Sequence, residues 1–415
     1  MNMIEGGVCA AKGFKASGIH CGIRKSRTKR DLSLIFSEKP ASCAAVYTTN
    51  LVKGAPLDVT KSHISDGIAQ AVICNSGNAN TCNADGVKIA KTMCKLVADA
   101  LKIDHDDVIV ASTGVIGQKL DIEPIKAGIP ALVSELSKDG NENAIEGIMT
   151  TDTVKKEIAV KFTLGGKECT IGGMAKGSGM IHPNMATMLV FITTDVAISS
   201  EMLQKALSSD IETTFNMISI DGDTSTNDMV TVLANGMAGN EPIKKGTKAY
   251  EDFKEALHFI NETQAKRLAA DGEGAIALIE TTVFGAKSKD DARKLAKSVI
   301  CSSLTKAAIF GHDSNWGRIL CALGYAGVDF DPDAIAIYYG NEESKEKAYA
   351  GDFSGAMKIY EDGTGEDYSE EEATKLLSKE SVYIWVDLKC GSETATAWGC
   401  DLTYDYVKIN ADYRS

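Results

Sequence analysis

The sequence contains no Cys-x-x-Cys pair, although eleven cysteines are scattered through its 415 residues. Paired thiolates at that spacing are what most structural zinc sites use, so zinc ligation is not expected. Cysteine is also too sparse for a disulfide scaffold in a chain of this length, and reduced thiols in a cytosol fit the pattern. No apolar run approaches the length of a membrane span. The opening MNMIEGGVCAAKGFKASG carries Glu5 early and has no continuous apolar core, so no signal peptide is read there and a cytoplasmic location is expected. Positive charge is in deficit: 44 Lys and Arg face 57 Asp and Glu, for a net charge of -13 and a pI near 5.1. Such a surface repels phosphate backbones and excludes nucleic acid as a partner. It leaves small anionic substrates open, since one local Lys or Arg holds a carboxylate. There is no internal repeat and no low-complexity tail.

What is present is ordinary for a folded protein: 44% hydrophobic and 24% charged residues. The length exceeds what one hydrophobic core usually fills, so two lobes or one large layered domain is expected. Strand-like runs alternate with amphipathic helical ones, which gives an α/β fold class. The strands expected are AVICN around Val72, VIVAS around Val108, KEIAVKFTL from Lys156, TMLVFITTD from Thr187, MVTVLANG from Met229, AIALIETTVF from Ala275 and DAIAIYYG from Asp333. A terminal pair, YIWVDLK from Tyr383 and TATAWGCDLTYDYVKI from Thr394, reads as a hairpin closed by Cys390-Gly391-Ser392. Three-four spacing predicts helices through Leu203, Leu207, Ile211 and Phe215, and through Phe253, Ala256, Leu257 and Ile260. Ser314 or Asn315 would cap another that stops near Gly327. Residues 235–248 and the acidic, Gly-containing stretch 351–372 read as loops.

One segment stands apart: a Gly-rich approach from Gly172 through Lys176-Gly177-Ser178-Gly179, a turn at Pro183, then Ala186-Thr187 opening an apolar strand. A phosphate loop needs Gly-Lys-Ser/Thr leading into a helix; the order here is Lys176-Gly177-Ser178 and a strand follows, so that reading fails. Autoproteolysis is the second reading. A strained turn presses the Thr187 hydroxyl on the Ala186 carbonyl, and an N-to-O acyl shift with hydrolysis frees an amine able to act as base to its own hydroxyl. The third is a plain loop entering a buried strand, and from the residues alone it is the simplest.

Other candidates carry less. Six histidines are present, and His182 and His312 sit in motifs, but no Gly-x-Ser-x-Gly elbow exists to build a triad. Asp221-Gly222-Asp223 misplaces the glycine of a calcium loop. DGDTSTND reads instead as a hydrogen-bonded turn near the site, and no metal is expected.

The run KGSGMIHPNMATMLVFITTD closely resembles the cleavage-and-nucleophile motif of the ornithine acetyltransferase (glutamate N-acetyltransferase) family. The resemblance covers nearly the whole chain: GGVCAAKGFKASG at the start, VYTTNLVKGAP at Val46, CNSGNANTCNADG at Cys74, ASTGVIG at Ala111, IMTTDT at Ile148, IDGDTSTND at Ile220, RLAADGEGA at Arg267, FGHDSNWGRI at Phe310 and NADYRS at Asn410. It departs at Cys9-Ala10-Ala11, where Thr-Ala-Pro is common, and after NSGNAN, where Thr81-Cys82-Asn83 follows.

The resemblance implies a layered α-β-β-α sandwich of the type shared with self-processing aminopeptidases. It implies cleavage between Ala186 and Thr187 into chains 1–186 and 187–415, two of each assembling as a heterotetramer. Thr187 would be the nucleophile, first on its own chain and then on the acetyl group of N2-acetylornithine, passing acetyl to glutamate by ping-pong chemistry. Thr113 and Gly114 match the oxyanion hole; Thr-Gly also suits an ordinary strand-ending turn. Lys176 and Thr153 match substrate contacts, with Thr150 and Thr151 on the same wall. Read without the family, they are a solvated lysine and good strand formers. Glu273 would hold the amine of ornithine, or be a turn carboxylate. Asn410 and Ser415 match substrate contacts that need an ordered tail. No cofactor is implied; acetyl-CoA would be a cosubstrate in members that acetylate glutamate from it. Two rivals stay open: an amidohydrolase or aminopeptidase of the same fold with water as acceptor, and an uncleaved amino-acid-binding protein without turnover.

Overall fold

The computed structural model describes residues 1–26, 28–182 and 188–412. Its strands are β1 Asn2–Ile4, β2 Phe14–Ile19, β3 Leu32–Tyr47, β4 Ile68–Asn78, β5 Val108–Val115, β6 Lys156–Leu164, β7 Lys167–Lys176, β8 Leu189–Thr194, β9 Ile218–Ser219, β10 Met229–Ala234, β11 Leu278–Ala286, β12 Ala336–Gly340, β13 Met357–Glu361, β14 Thr364–Gly365, β15 Ser381–Asp387 and β16 Glu393–Cys400. Its helices are α1 Ala55–His63, α2 Gly86–Leu101, α3 Ile122–Ser134, α4 Asn141–Ile148, α5 Ser200–Ile211, α6 Lys248–Ala270, α7 Lys289–Cys301, α8 Ser303–Phe310, α9 Trp316–Gly324, α10 Lys345–Tyr349, α11 Glu370–Leu377 and α12 Tyr404–Ala411. The chain forms two compact units, 1–216 with 223–264, and 217–222 with 265–415. Among the described residues no helix is long and apolar enough to cross a membrane.

The first unit is built on one sheet, ordered β1-β6-β7-β8-β10-β3-β4-β5, with β2 also paired to β3. Strand residues alternate between faces, and the two faces of β3, β4 and β5 bury different partners. Leu32, Leu34, Ile73, Val108 and Val110 pack on Val59 of α1, Met93 and Val97 of α2, and Ile125 and Ile129 of α3. Their neighbours Ile35, Val72, Cys74, Ile109 and Ala111 share a second core with Met174, Leu189, Phe191, Met229 and Leu233. That core joins β3-β4-β5 face to face with β7, β8 and β10. A register shift between Phe36 and Ala41 lets β3 serve both halves. Behind β7, Gly173 faces Ile260 of α6, and Gln204 of α5 exchanges hydrogen bonds with the Ala45 backbone at 3.1 Å each way. The order is helix, sheet, sheet, helix, as expected. The predicted stripes Leu203, Leu207, Ile211, Phe215 and Phe253, Ala256, Leu257, Ile260 are all fully buried.

Two expectations in this unit are refined. The Gly-rich approach starts as regular strand: Gly172 to Lys176 is the end of β7, paired with β8 throughout and with β6 as far as Ala175. Glycine stands there because a Cβ on Gly172 would lie 2.1 Å from the Gly7 carbonyl oxygen. Among the described residues the apolar strand runs from Leu189, with Met188 before it in a bend; Ala186 and Thr187 lie outside the described residues.

The second unit has a sheet ordered β14-β13-β12-β15-β11-β16-β9, with α7 packed across β11 and β16. The expected terminal hairpin does not form. β11 lies between β15 and β16, parallel to the first and antiparallel to the second. The connection between them, residues 388–392, crosses the end of β11 instead. There the backbone N–H groups of Leu388 and Cys390 donate to the Phe284 and Gly285 carbonyls at 3.0 Å each. A Cβ on Gly391 would sit 2.1 Å from the Ala286 carbonyl oxygen, so the crossing is tight. The acidic stretch 351–372 is not all loop either. β13 and β14 form a hairpin in it, turned at Asp362 (φ 49°) and Gly363 (φ 77°). Asp-Gly supplies the two left-handed positions that such a tight turn requires. Asn315 caps α9, accepting from the Arg318 N–H at 3.2 Å, and the helix ends at Gly324, short of Gly327.

Candidate active site

Thr113 and Gly114 lie near the end of β5, in parallel register with Ser76 and Gly77 of β4. Gly114 has φ 131°, and a Cβ there would lie 2.3 Å from the Gly77 carbonyl carbon and 2.5 Å from the Asn78 nitrogen. Only glycine fits both the conformation and the approach. The half-buried Thr113 hydroxyl has no hydrogen-bond partner among the described residues. Its surroundings are tied down. The Ser112 hydroxyl donates to Asn75 Oδ1 at 2.6 Å, and Asn75 Nδ2 donates to the Asn78 carbonyl at 2.9 Å. Asn227 Nδ2 donates to the carbonyls of Ser112 at 2.9 Å and Ala79 at 2.6 Å.

The loop that carries Asn227 and the first residue of β10 hold the two flanks of the expected cleavage segment. Thr224 bridges Ile181, and its hydroxyl donates to the His182 carbonyl at 2.8 Å. On the other side the Met229 N–H donates to the Met188 carbonyl at 3.0 Å. Thr48 and Asn50 anchor the loop in turn, donating to the carbonyls of Ser225 and Thr224 at 2.8 Å each. The expectation that DGDTSTND forms a hydrogen-bonded turn therefore holds for residues 224–228.

A buried charged cluster forms beside β7. Asp152 accepts from the Gly177 N–H at 2.6 Å, the Thr150 N–H at 2.9 Å and Lys156 Nζ at 2.8 Å. Burial alone would raise its carboxyl; Lys176, Lys156 and the Gly177 N–H outweigh that and hold it well below the usual carboxylate range. Lys176 is buried too, at 8% exposure, so it is not a solvated surface lysine. Burial pushes its ammonium below the ordinary lysine value; Asp152 opposes this, and Lys156 and Arg24 add to it. Thr151 and Ser178 share a hydroxyl–hydroxyl hydrogen bond of 2.7 Å across the same wall. Thr153 is on this loop but exposed.

In the second unit, Glu273 is buried at 7% exposure and accepts from Asn410 Nδ2 at 2.8 Å. Thr403 caps α12 and its hydroxyl donates to the Gly274 carbonyl at 2.7 Å, which ties the helix carrying Asn410 to the turn carrying Glu273. Gly274 has φ 71°, and a Cβ there would meet the Tyr406 nitrogen at 2.8 Å. Ser415 lies outside the described residues.

A family model described as the ArgJ family matches residues 15–415. The chain belongs to that family. It is 48% identical over 416 residues to the arginine biosynthesis bifunctional protein ArgJ of Caldanaerobacter subterraneus subsp. tengcongensis, covering 100% of each chain. It is 51% identical over 403 residues to ArgJ 1 of Clostridium acetobutylicum, covering 97% of this chain and 96% of that one. A crystal structure of the Bacillus halodurans ArgJ protein is 44% identical, with a TM-score of 0.49, covering 54% of this chain and 99% of that chain.

Within this ArgJ-family chain, Asp152, Asn75, Ser112 and Asn227 were not singled out from sequence. Each acts through hydrogen bonds to backbone or to another side chain, and nothing local marks such a residue. The signal available was position: all four sit inside the quoted motifs IMTTDT, CNSGNAN, ASTGVIG and IDGDTSTND.

Proposed function

We propose that this ArgJ-family chain is an acyltransferase of arginine biosynthesis that moves acetyl from N2-acetylornithine to glutamate through an ester on Thr187. The Thr187 hydroxyl first attacks the Ala186 carbonyl carbon, the peptide C–N bond breaks, and water hydrolyses the resulting ester. This leaves a carboxylate on Ala186 and a free amine on Thr187. In turnover the same hydroxyl attacks the acetyl carbonyl of N2-acetylornithine; the amide C–N bond breaks and its nitrogen takes a proton as ornithine leaves. The glutamate amine then attacks the acetyl-threonine ester, N-acetylglutamate forms, and the hydroxyl is restored. Thr113 and Gly114 stabilise the oxyanion at each tetrahedral stage. Lys176 pairs a substrate carboxylate and Thr153 makes another substrate contact, while Glu273, with Asn410 and Ser415, holds the ornithine side. Chains 1–186 and 187–415 pair as a heterotetramer of two each, in the cytoplasm. Acetyl-CoA is the alternative acetyl donor, distinguished by testing glutamate acetylation without N2-acetylornithine, and no resident cofactor is part of this reading.

The observation that carries the reading is the segment 224–229, whose Thr224 and Met229 bind the two flanks of the 183–187 segment and whose Asn227 binds the strand bearing Thr113. Intact mass under denaturing conditions, with acetyl-transfer assays of wild type and Thr187→Ala, tests it. Two fragments meeting at Ala186/Thr187, absent from an inactive variant, are expected. A single uncut chain with full activity would defeat the mechanism. Acetate release at the full rate without glutamate would favour the amidohydrolase, and an uncut, inactive chain that binds ornithine derivatives would favour the binding protein.

A further inference from the structure

Three cations converge in the cluster beside β7: Lys156 from β6, Lys176 from β7 and Arg24 from the segment before β3. Asp152 is the carboxylate that acts most strongly on Lys176, and burial pushes the Cys74 thiol of β4 up, so it carries no charge near neutrality. Asp152 directs its hydrogen bonds to Lys156, Thr150 and Gly177. The Lys176 ammonium has no hydrogen bond or ion pair among the described residues. A buried cation without a direct partner is costly and tends to lose its proton. The nearby Asp152 charge is what opposes that loss. The same carboxylate fixes the Gly177 backbone, and so the end of the strand from which Lys176 projects.

We propose that Asp152 is a positioning residue that keeps Lys176 charged and in place to receive a substrate carboxylate. This rests on the substrate-contact reading of Lys176. Removing the Asp152 charge makes Lys176 lose its proton at lower pH, so carboxylate recognition fails earlier on the alkaline side. Removing Lys156, a like charge, has the opposite effect. A residue that only supports the fold would lower activity evenly across pH.

The test is kcat/KM for N2-acetylornithine with saturating glutamate, from about pH 6 to about pH 10, expressed as the variant-to-wild-type ratio so that substrate titrations cancel. For Asp152→Asn the ratio is expected to fall about tenfold between the neutral and alkaline ends, through KM rather than kcat. For Lys156→Met it is expected to rise with pH. Lys176→Gln, which has no amine to titrate, makes the response to Asp152→Asn vanish in the double variant. A flat Asp152→Asn ratio overturns the assignment. If Asp152→Asn does not fold, Lys156→Met decides: a rising ratio supports the proposal and a flat one overturns it. Wild-type protein without any acetyl transfer is a different failure, since it overturns the underlying function and this proposal with it.

Discussion

At Gly114 the backbone conformation and the neighbouring strand agree on the same residue. With φ 131° and the Gly77 carbonyl carbon 2.3 Å from a notional Cβ, an alanine would have to push β4 and β5 apart. Those strands carry Thr113 and the Asn75–Ser112 bond, so the displacement would misplace the proposed oxyanion donors. Gly114→Ala is expected to lower kcat by about 100- to 1000-fold, the cost typical of one lost donor. Steady-state kinetics on folded protein measures it, and an unchanged kcat would remove Gly114 from the oxyanion hole. Asn227 shows how a residue outside the chemistry matters at this scale. Its amide satisfies two buried carbonyls, and leaving them unpaired costs about 1–3 kcal/mol each.

At the level of elements, β8 is the strand whose position has the clearest consequence. It follows the expected cleavage point, yet pairs with β7, which precedes that point, and with β10, which follows it. β10 in turn pairs with β3 of the first fragment. Cutting the chain between Ala186 and Thr187 leaves these ladders intact. The fragments are expected to migrate together as one species in native size-exclusion chromatography and to separate only in denaturant. Spontaneous separation under native conditions would contradict the shared sheet.

For the whole molecule, Asp152 predicts how stability responds to acid. Its folded carboxyl is held below the usual range, so it contributes stability above the unfolded value of about 3.9, which is lost as pH falls through the folded value. The destabilisation caused by Asp152→Asn should therefore be largest near neutrality and shrink below about pH 4. Urea unfolding of both proteins at about pH 7 and about pH 3 measures this; equal differences at the two pH values would show that the charge contributes nothing.

The period-two and three-four patterns that became β4, β5, β6, α5 and α6 were legible in the residues alone, because burying one face of an element is a local demand. The candidate residues were reached through the resemblance of their motifs to a family, because local turn chemistry and glycine positions by themselves read as plain loops and turns. Strand partners were another matter: β15 and β16 are adjacent in sequence, but β11 separates them. Pairing depends on which distant strand buries the shared edge, and no short pattern encodes that. The same holds for Gly172, whose small size answers the Gly7 backbone, and for Lys176, which reads as a surface lysine until the fold encloses it with Asp152. Close approach and buried charge are set by contacts between residues far apart in the chain, so they emerge with the packed fold and not before it.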